Sequence, residues 1–265
     1  MIGAIIGDIA GSCFEWDNHR SKIFTLINDQ CFFTDDTVMS LAVCEALMHS
    51  KQDFSDLELQ AVTWMQDIGR CYPDCGYGGN FDAWLHSNHP QPYHSFGNGA
   101  AMRISGCAYA AGSLKQTKAL SRAVTVVTHS HPEGLKGAEA TAAAVYLAKN
   151  GAGLAEIREY VTQNYYPISF TLDEIRDTYQ FNEICQDTVP QALEAFFEST
   201  GFEDAIRNAI SIGGDSDTLA AITGSVAEAY YGVPDKIRKR AYTFLDGRLL
   251  GILTRFEALY PGKEG

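Results

Sequence analysis

The sequence predicts an all-α fold, a single compact helical bundle spanning residues 1–265. Apolar residues recur at helical spacing along most of the chain, and helix-forming residues dominate. The strict apolar–polar alternation of half-buried strands is nearly absent. With 46% of its 265 residues hydrophobic, the chain can bury a substantial core. No low-complexity segment, no repeat of roughly 20 to 50 residues and no separating linker divides it, so one large domain is expected.

The candidate helices follow in order. The first covers residues 2–14, a short apolar stretch with Asp8 inside it. Residues 36–49 come next, and their centre at 38–47 is apolar nearly all round, as in a helix buried on every side. Residues 55–69, 99–111 and 115–128 follow, then 134–150, which repeats the all-round apolar character over 138–148. Residues 154–164, 189–199, 202–212 and 218–231 continue the pattern, and 235–260 reads as a last helix interrupted near Gly247. Residues 165–187 mix aromatic and polar side chains, with Pro167 near their start, and are expected to hold irregular structure or short helices. Glycine-rich or polar loops fall at 71–81, 87–98, 128–134 and 211–217. Loops held by a rigid scaffold carry function disproportionately.

Composition excludes some partners. The 33 acidic residues outnumber 20 Lys plus Arg, a formal net charge of -13, which disfavours a sequence-independent grip on nucleic acid or an anionic membrane. An anionic small substrate would need cations or backbone donors to hold it. The seven cysteines (Cys13, Cys31, Cys44, Cys71, Cys75, Cys107 and Cys185) are odd in number and scattered, which reads as reduced thiols in a cytoplasmic protein. Cys71 and Cys75 lack a second Cys or His pair at zinc-finger spacing, which argues against structural zinc. The N-terminal stretch has no basic leader and carries Asp8, unlike a signal peptide. No run approaches the roughly 18 apolar residues of a membrane span.

Two acidic segments stand out. Phe33-Thr34-Asp35-Asp36-Thr37 immediately precedes one apolar helix, and Gly213-Gly214-Asp215-Ser216-Asp217-Thr218 immediately precedes another. Hard divalent cations want oxygen ligands, and a two-ion site needs several carboxylates converging from different segments. Asp and Thr are also favoured helix N-caps, with Asp stabilised by the helix dipole. Capping accounts for any one of these residues. It does not account for two aspartates at each helix start, or for Gly213 and Gly214, which permit close backbone approach. Spacing alone leaves both readings open.

Further motifs lie in the same chain: Gly7-Asp8-Ile9-Ala10-Gly11-Ser12-Cys13-Phe14-Glu15, Gly76-Tyr77-Gly78-Gly79, Ser95-Phe96-Gly97-Asn98-Gly99-Ala100-Ala101-Met102-Arg103 and Thr128-His129-Ser130-His131-Pro132. Taken in order with the two acidic segments, they make the sequence resemble the ADP-ribosylglycohydrolase family from residue 3 to about 225. That family includes the dinitrogenase reductase activating glycohydrolase and the ADP-ribosyl-acceptor hydrolases. The resemblance implies an orthogonal all-α bundle with two Mg(II) or Mn(II) ions at the mouth of a cleft that receives ADP-ribose. By motif match, Thr34, Asp35, Asp36, Asp215, Asp217 and Thr218 would be the metal ligands. Glu15 would stand near the metals, and Glu15 or Asp36 would be the carboxylate beside the reacting centre.

The resemblance also implies substrate contacts. Gly76 and Gly78 fall on a loop expected beside the diphosphate, and Ser95, Phe96, Gly97 and Asn98 on a loop expected around the distal ribose and phosphates. Phe96 could stack on adenine or belong to the core. Asn98 could bond ribose hydroxyls or occupy a positive-φ turn. His129 is the preferred phosphate donor of the two histidines in its motif. Arg103, equally suited to steadying the site or touching substrate, is left out of it.

The implied function is metal-dependent hydrolysis of the glycosidic bond between ADP-ribose and a modified acceptor, with protein arginine first and serine or another ADP-ribosyl compound next. A non-catalytic ADP-ribose-binding protein and a two-metal phosphohydrolase are the competing classes.

Overall fold

The computed structural model describes residues 1–262; Lys263, Glu264 and Gly265, included in the expected domain, lie outside the described residues. The helices in chain order are α1 (Ile2–Gly11), α2 (Asp35–His49), α3 (Leu57–Gly69), α4 (Gly79–His86), α5 (Gly99–Met102), α6 (Ser105–Ala110), α7 (Leu114–Val126) and α8 (Pro132–Lys149). They continue with α9 (Leu154–Asn164), α10 (Leu172–Ile175), α11 (Cys185–Phe197), α12 (Phe202–Ile210), α13 (Ser216–Tyr231), α14 (Asp235–Tyr242) and α15 (Gly247–Leu259). Among the described residues there is no strand, only an isolated antiparallel bridge between Gly97 and Ile184. The all-α expectation holds.

The centre of the bundle is the pair α1 and α13. Every residue of α1 is buried, and α13 is buried from Ser216 to Ala229. Glycines at every fourth position of α1 make the pairing close. A Cβ on Gly3 would overlap the Gly224 carbonyl, one on Gly7 the Ala220 carbonyl, and one on Gly11 the Ser216 carbonyl. Residue numbers rise along α1 as they fall along α13, so the helices run antiparallel. The C-terminal end of α1, with Glu15 just beyond it, therefore meets the N-terminal end of α13, with Asp215 and Asp217.

This seam makes a prediction whose sign is diagnostic. By helix propensity alone, Gly7→Ala would stabilise a helix by about 1 kcal/mol. Against the Ala220 backbone the added methyl should instead destabilise by about 1–3 kcal/mol, as overpacking does. Urea unfolding reads the difference, and an unchanged or raised midpoint would mean that the two helices can separate freely.

Several expected boundaries moved for local reasons. The helix expected over 2–14 ends at Gly11, and Ser12–Phe14 form a 3-10 turn. The helix expected over 99–111 breaks at Arg103, whose φ of -95° and ψ of 4° leave the helical region. Arg103 is 1% exposed, and its guanidinium reaches Thr128 and His129. Helix α4 falls across the expected loop at 71–81 and beyond it, stabilised by burying Phe81, Trp84 and Leu85. Helix α11 starts at Cys185, ahead of the expected Val189, and carries Pro190 inside. Residues 165–187 contain the short α10, capped reciprocally by Thr171 and Glu174, as expected of a mixed stretch. The interruption near Gly247 is real: Asp246 caps α15 by accepting from the backbone N–H of Arg248 and Leu249, each at 2.9 Å.

Among the described residues no helix is long and apolar enough to cross a membrane. All seven cysteines are free.

Candidate metal centre

Thr34 is the N-cap of α2, its hydroxyl accepting from Asp36 N at 3.3 Å. Asp215 is the N-cap of α13, preceded by Gly213 and Gly214 at φ of 70° and 78°, a conformation that favours glycine. The aspartates therefore do sit at helix starts, as capping requires. What capping does not explain is their convergence. The Thr218 hydroxyl donates to Asp36 Oδ2 at 3.0 Å, joining the two half-sites across 182 residues. Glu15, Asp215 and Asp217 each offer an oxygen within 4.8 Å of the others. Asp35 stands at the start of α2 on the wall of the same cleft.

Among the described residues no Lys, Arg or chain terminus forms an ion pair with Glu15, Asp35, Asp36, Asp215 or Asp217. Burial, reinforced by Asp217, holds Asp35, Asp36 and Asp215 well above the ordinary carboxylate range. Burial pushes Glu15 up to about 7, with Asp217 and Glu183 adding to the shift. Asp36 Oδ1 is buried with no hydrogen-bond partner. Crowded, unpaired carboxylate oxygens with threonine hydroxyls beside them are the donor set that a hard divalent cation neutralises. The residues fit a metal.

Sequence reasoning missed Asp8 as part of this centre. It is fully buried in α1 and accepts from Thr34 N at 3.0 Å, Thr34 Oγ1 at 2.8 Å, Thr37 N at 3.0 Å and also Thr37 Oγ1. It thus orients the N-terminus of α2 from behind. Burial, then Asp217, pushes it up to about 7 against the opposing threonine bonds. A lone acid inside an apolar helix was the available signal. Asn18 was also missed. Its amide donates to Phe14 O, Glu15 O and Gly214 O at 2.9 to 3.1 Å and accepts from Gly214 N at 2.8 Å, fastening the Glu15 turn to the Gly213–Asp215 loop. No local pattern marks it.

The carboxylates open into a cleft of about 730 Å³. Gly76, Gly78, Ser95, Phe96, Gly97, Asn98 and His129 line that cleft together with Glu15, Thr34, Asp35, Asp36, Asp215, Asp217 and Thr218. Asp35 N donates to Cys75 O at 2.8 Å, which ties the Gly76 loop to the start of α2. Gly78 is the N-cap of α4, and a Cβ on Gly78 or Gly79 would meet nothing within 4 Å, so both face open space. The loop at 95–98 is held by the segment at 183–185: Asn98 N donates to Glu183 O at 2.7 Å, and Cys185 N to Phe96 O at 3.0 Å. Asn98 has a φ of -66°, so the positive-φ alternative for it is wrong. Its amide donates to Asp215 Oδ2 at 2.6 Å and Thr188 Oγ1 at 3.2 Å, leaving Oδ1 for a ligand. Phe96 is 41% exposed and packs beside the His131 ring, so the core reading of it is also wrong.

Comparison with known proteins identifies the family and the fold. The family model for ADP-ribosylglycohydrolase matches residues 1–260. The chain is 27% identical to an ADP-ribosylarginine hydrolase Tri1 of Pseudomonas putida, covering 92% of this chain and 73% of that protein. It is 25% identical to the mouse (Mus musculus) ADP-ribosylhydrolase ARH3, covering 88% and 83%. It is 27% identical to the ADP-ribosyl-[dinitrogen reductase] glycohydrolase of Rhodospirillum rubrum, covering 76% and 70%. A solved structure described as an ADP-ribosylglycohydrolase-related protein complex superposes with a TM-score of 0.70 at 23% identity, covering 98% of this chain and 94% of that one, a likeness of fold. The chain belongs to the ADP-ribosylglycohydrolase family.

Proposed function

We propose that this hydrolase of ADP-ribosyl linkages releases ADP-ribose from modified protein arginine, using two divalent cations, Mg(II) or Mn(II). The observation that carries the reading is that one cleft is lined both by N–H donors and by carboxylates with an aromatic face. The N–H donors are the Gly76 to Gly79 loop, the start of α4 and His129. The carboxylates and aromatic face are Glu15, Glu183, and Trp16, which is 80% exposed and stacks on Phe181 at 5.1 Å between centroids. Backbone donors and a helix N-terminus suit a diphosphate without adding side-chain charge. Carboxylates beside an aromatic face suit a guanidinium.

On this reading Thr34, Asp35, Asp36, Asp215, Asp217 and Thr218 hold the cations. Held there, divalent cations would supply Lewis-acid orientation of the distal ribose hydroxyls and activation of water. Glu15 and Asp36 place negative charge beside the anomeric carbon, where an oxocarbenium-like centre would develop. Gly76 and Gly78 bring backbone to the diphosphate, Ser95, Gly97 and Asn98 border the ribose and phosphates, and Phe96 stacks on adenine. Residues 1–265 act as one domain. The odd number of cysteines supports a cytoplasmic setting, and the charge of -13 argues against nucleic acid as a partner.

The test is release of ADP-ribose from peptides modified at arginine, serine, glutamate or cysteine, with and without chelator. Cleavage at arginine that chelation stops is expected. Cleavage at serine alone would overturn the acceptor, and cleavage of none would overturn a protein acceptor in favour of a non-protein ADP-ribosyl substrate or a protein that only binds ADP-ribose.

A further inference from the structure

Arg103 is an unusual cation for so acidic a protein. It is 1% exposed, it lines the cleft, and among the described residues it pairs with no carboxylate. Its guanidinium lies over the Phe81 ring at 5.4 Å, and Nε has no hydrogen-bond partner. Nη2 lies 2.6 Å from Thr128 Oγ1 and 3.2 Å from His129 Nδ1, and Thr128 Oγ1 lies 2.8 Å from the same Nδ1.

Thr128 Oγ1 also lies 3.5 Å from Thr125 O and can donate there, so the Nη2 contact, rather than the threonine, decides the proton on Nδ1. A guanidinium only donates, so Thr128 Oγ1 accepts from Nη2, and His129 Nδ1 must accept from Nη2 as well. A second proton on Nδ1 would face the guanidinium. The imidazole is therefore neutral and carries its proton on Nε2. Burial, then the charge of Arg103, holds His129 well below its ordinary range, which agrees. Nε2 lies 3.5 Å from where a Cβ on Gly97 or on Gly99 would stand, and among the described residues no protein group bonds it.

We propose that Arg103 is a positioning residue that, with Thr128, locks His129 in the Nε2–H form, so that the cleft presents a fixed neutral donor to an oxygen of the bound nucleotide. The glycines at 97 and 99 leave room for that oxygen. This rests on the ADP-ribose reading for the ligand, but the tautomer does not.

Two measurements test it. In the full chain without ligand, long-range nitrogen–proton correlation should show His129 neutral with the proton on Nε2 at neutral pH. A proton on Nδ1, or a doubly protonated ring, would overturn the proposal outright and needs no variant. Titration of ADP-ribose in the presence of Mn(II) then separates positioning from direct contact. Arg103→Met should weaken binding about tenfold, the worth of one charge-assisted hydrogen bond. In a His129→Ala background the same substitution should change affinity less than about twofold, since interacting residues are not additive. An equal loss in both backgrounds would mean that Arg103 acts independently of His129. Should Arg103→Met fail to fold, Thr128→Val supplies the same cycle. Failure of the wild-type chain to bind ADP-ribose would overturn the ligand and leave the tautomer result standing.

Discussion

Asp215→Asn is expected to lower kcat/KM by about a thousandfold or more, while raising the melting temperature of the metal-free protein. The first half follows from the proposed role of Asp215 as a metal ligand, because metal assistance supplies several kcal/mol of transition-state stabilisation, and each 1.36 kcal/mol is about tenfold in rate. The second half follows from the crowding. Asp215 is buried beside Asp217, its carboxyl held well above the ordinary range, with Asn98 as a donor but no cation. Removing a like charge from such a cluster relieves repulsion and desolvation, a trade of function against stability common at active sites. Asparagine keeps the shape and one acceptor oxygen. Kinetics on an ADP-ribosylated peptide and thermal unfolding in chelator read the two effects separately. Near-normal turnover would remove Asp215 from the metal centre. A loss of both turnover and stability would make it a cap whose main partner is Asn98.

The second large effect is a coupling between pH and metal. Asp8 and Glu15 rise to about 7 in the folded chain, and Asp35, Asp36 and Asp215 rise well above their ordinary values. A raised carboxyl means that the folded state binds more protons than the unfolded one. Its contribution is fully present below the unfolded pKa and is lost as pH rises through the folded pKa. The metal-free protein should therefore melt progressively lower between pH 5 and pH 8. His129 works the other way, since its depressed pKa favours folding at higher pH, but it contributes equally with and without metal and cancels in the difference. A fixed Mn(II) concentration, about 100 times its dissociation constant at pH 8, stabilises by about 2.7 kcal/mol at that pH. At about 2–4 °C per kcal/mol for a chain of this size, the gain is about 5–10 °C. The gain should be larger at pH 8 than at pH 5, where protons compete with the ion. A gain independent of pH would show that these carboxylates are not the ligands.

Part of this centre was legible without coordinates. Thr34, Asp35 and Asp36 before one apolar helix, and Asp215, Asp217 and Thr218 before another, are local patterns, and the glycines at 213 and 214 announce a backbone that only glycine adopts readily. Asp8 was visible only as an anomaly inside an apolar run. Asn18 could not be found, because its role consists of bonds to carbonyls at 14, 15 and 214, and nothing in its own neighbourhood requires an amide. Arg103 carried two readings. The helix break at that position, which turns its guanidinium inward, was absent from the expected helix over 99–111.

The sequence by itself determined the all-α class, most of the helices and the two acidic segments, because helical periodicity and capping chemistry are properties of a few consecutive residues. Only the tertiary structure decided that the segments form one centre. Gly3, Gly7 and Gly11 of α1 set the close approach to α13, and the Thr218 to Asp36 bond closes the site across 182 residues. Close approach is a property of two surfaces at once. Neither helix shows it alone, and so neither acidic segment by itself could tell a helix cap from part of a shared centre.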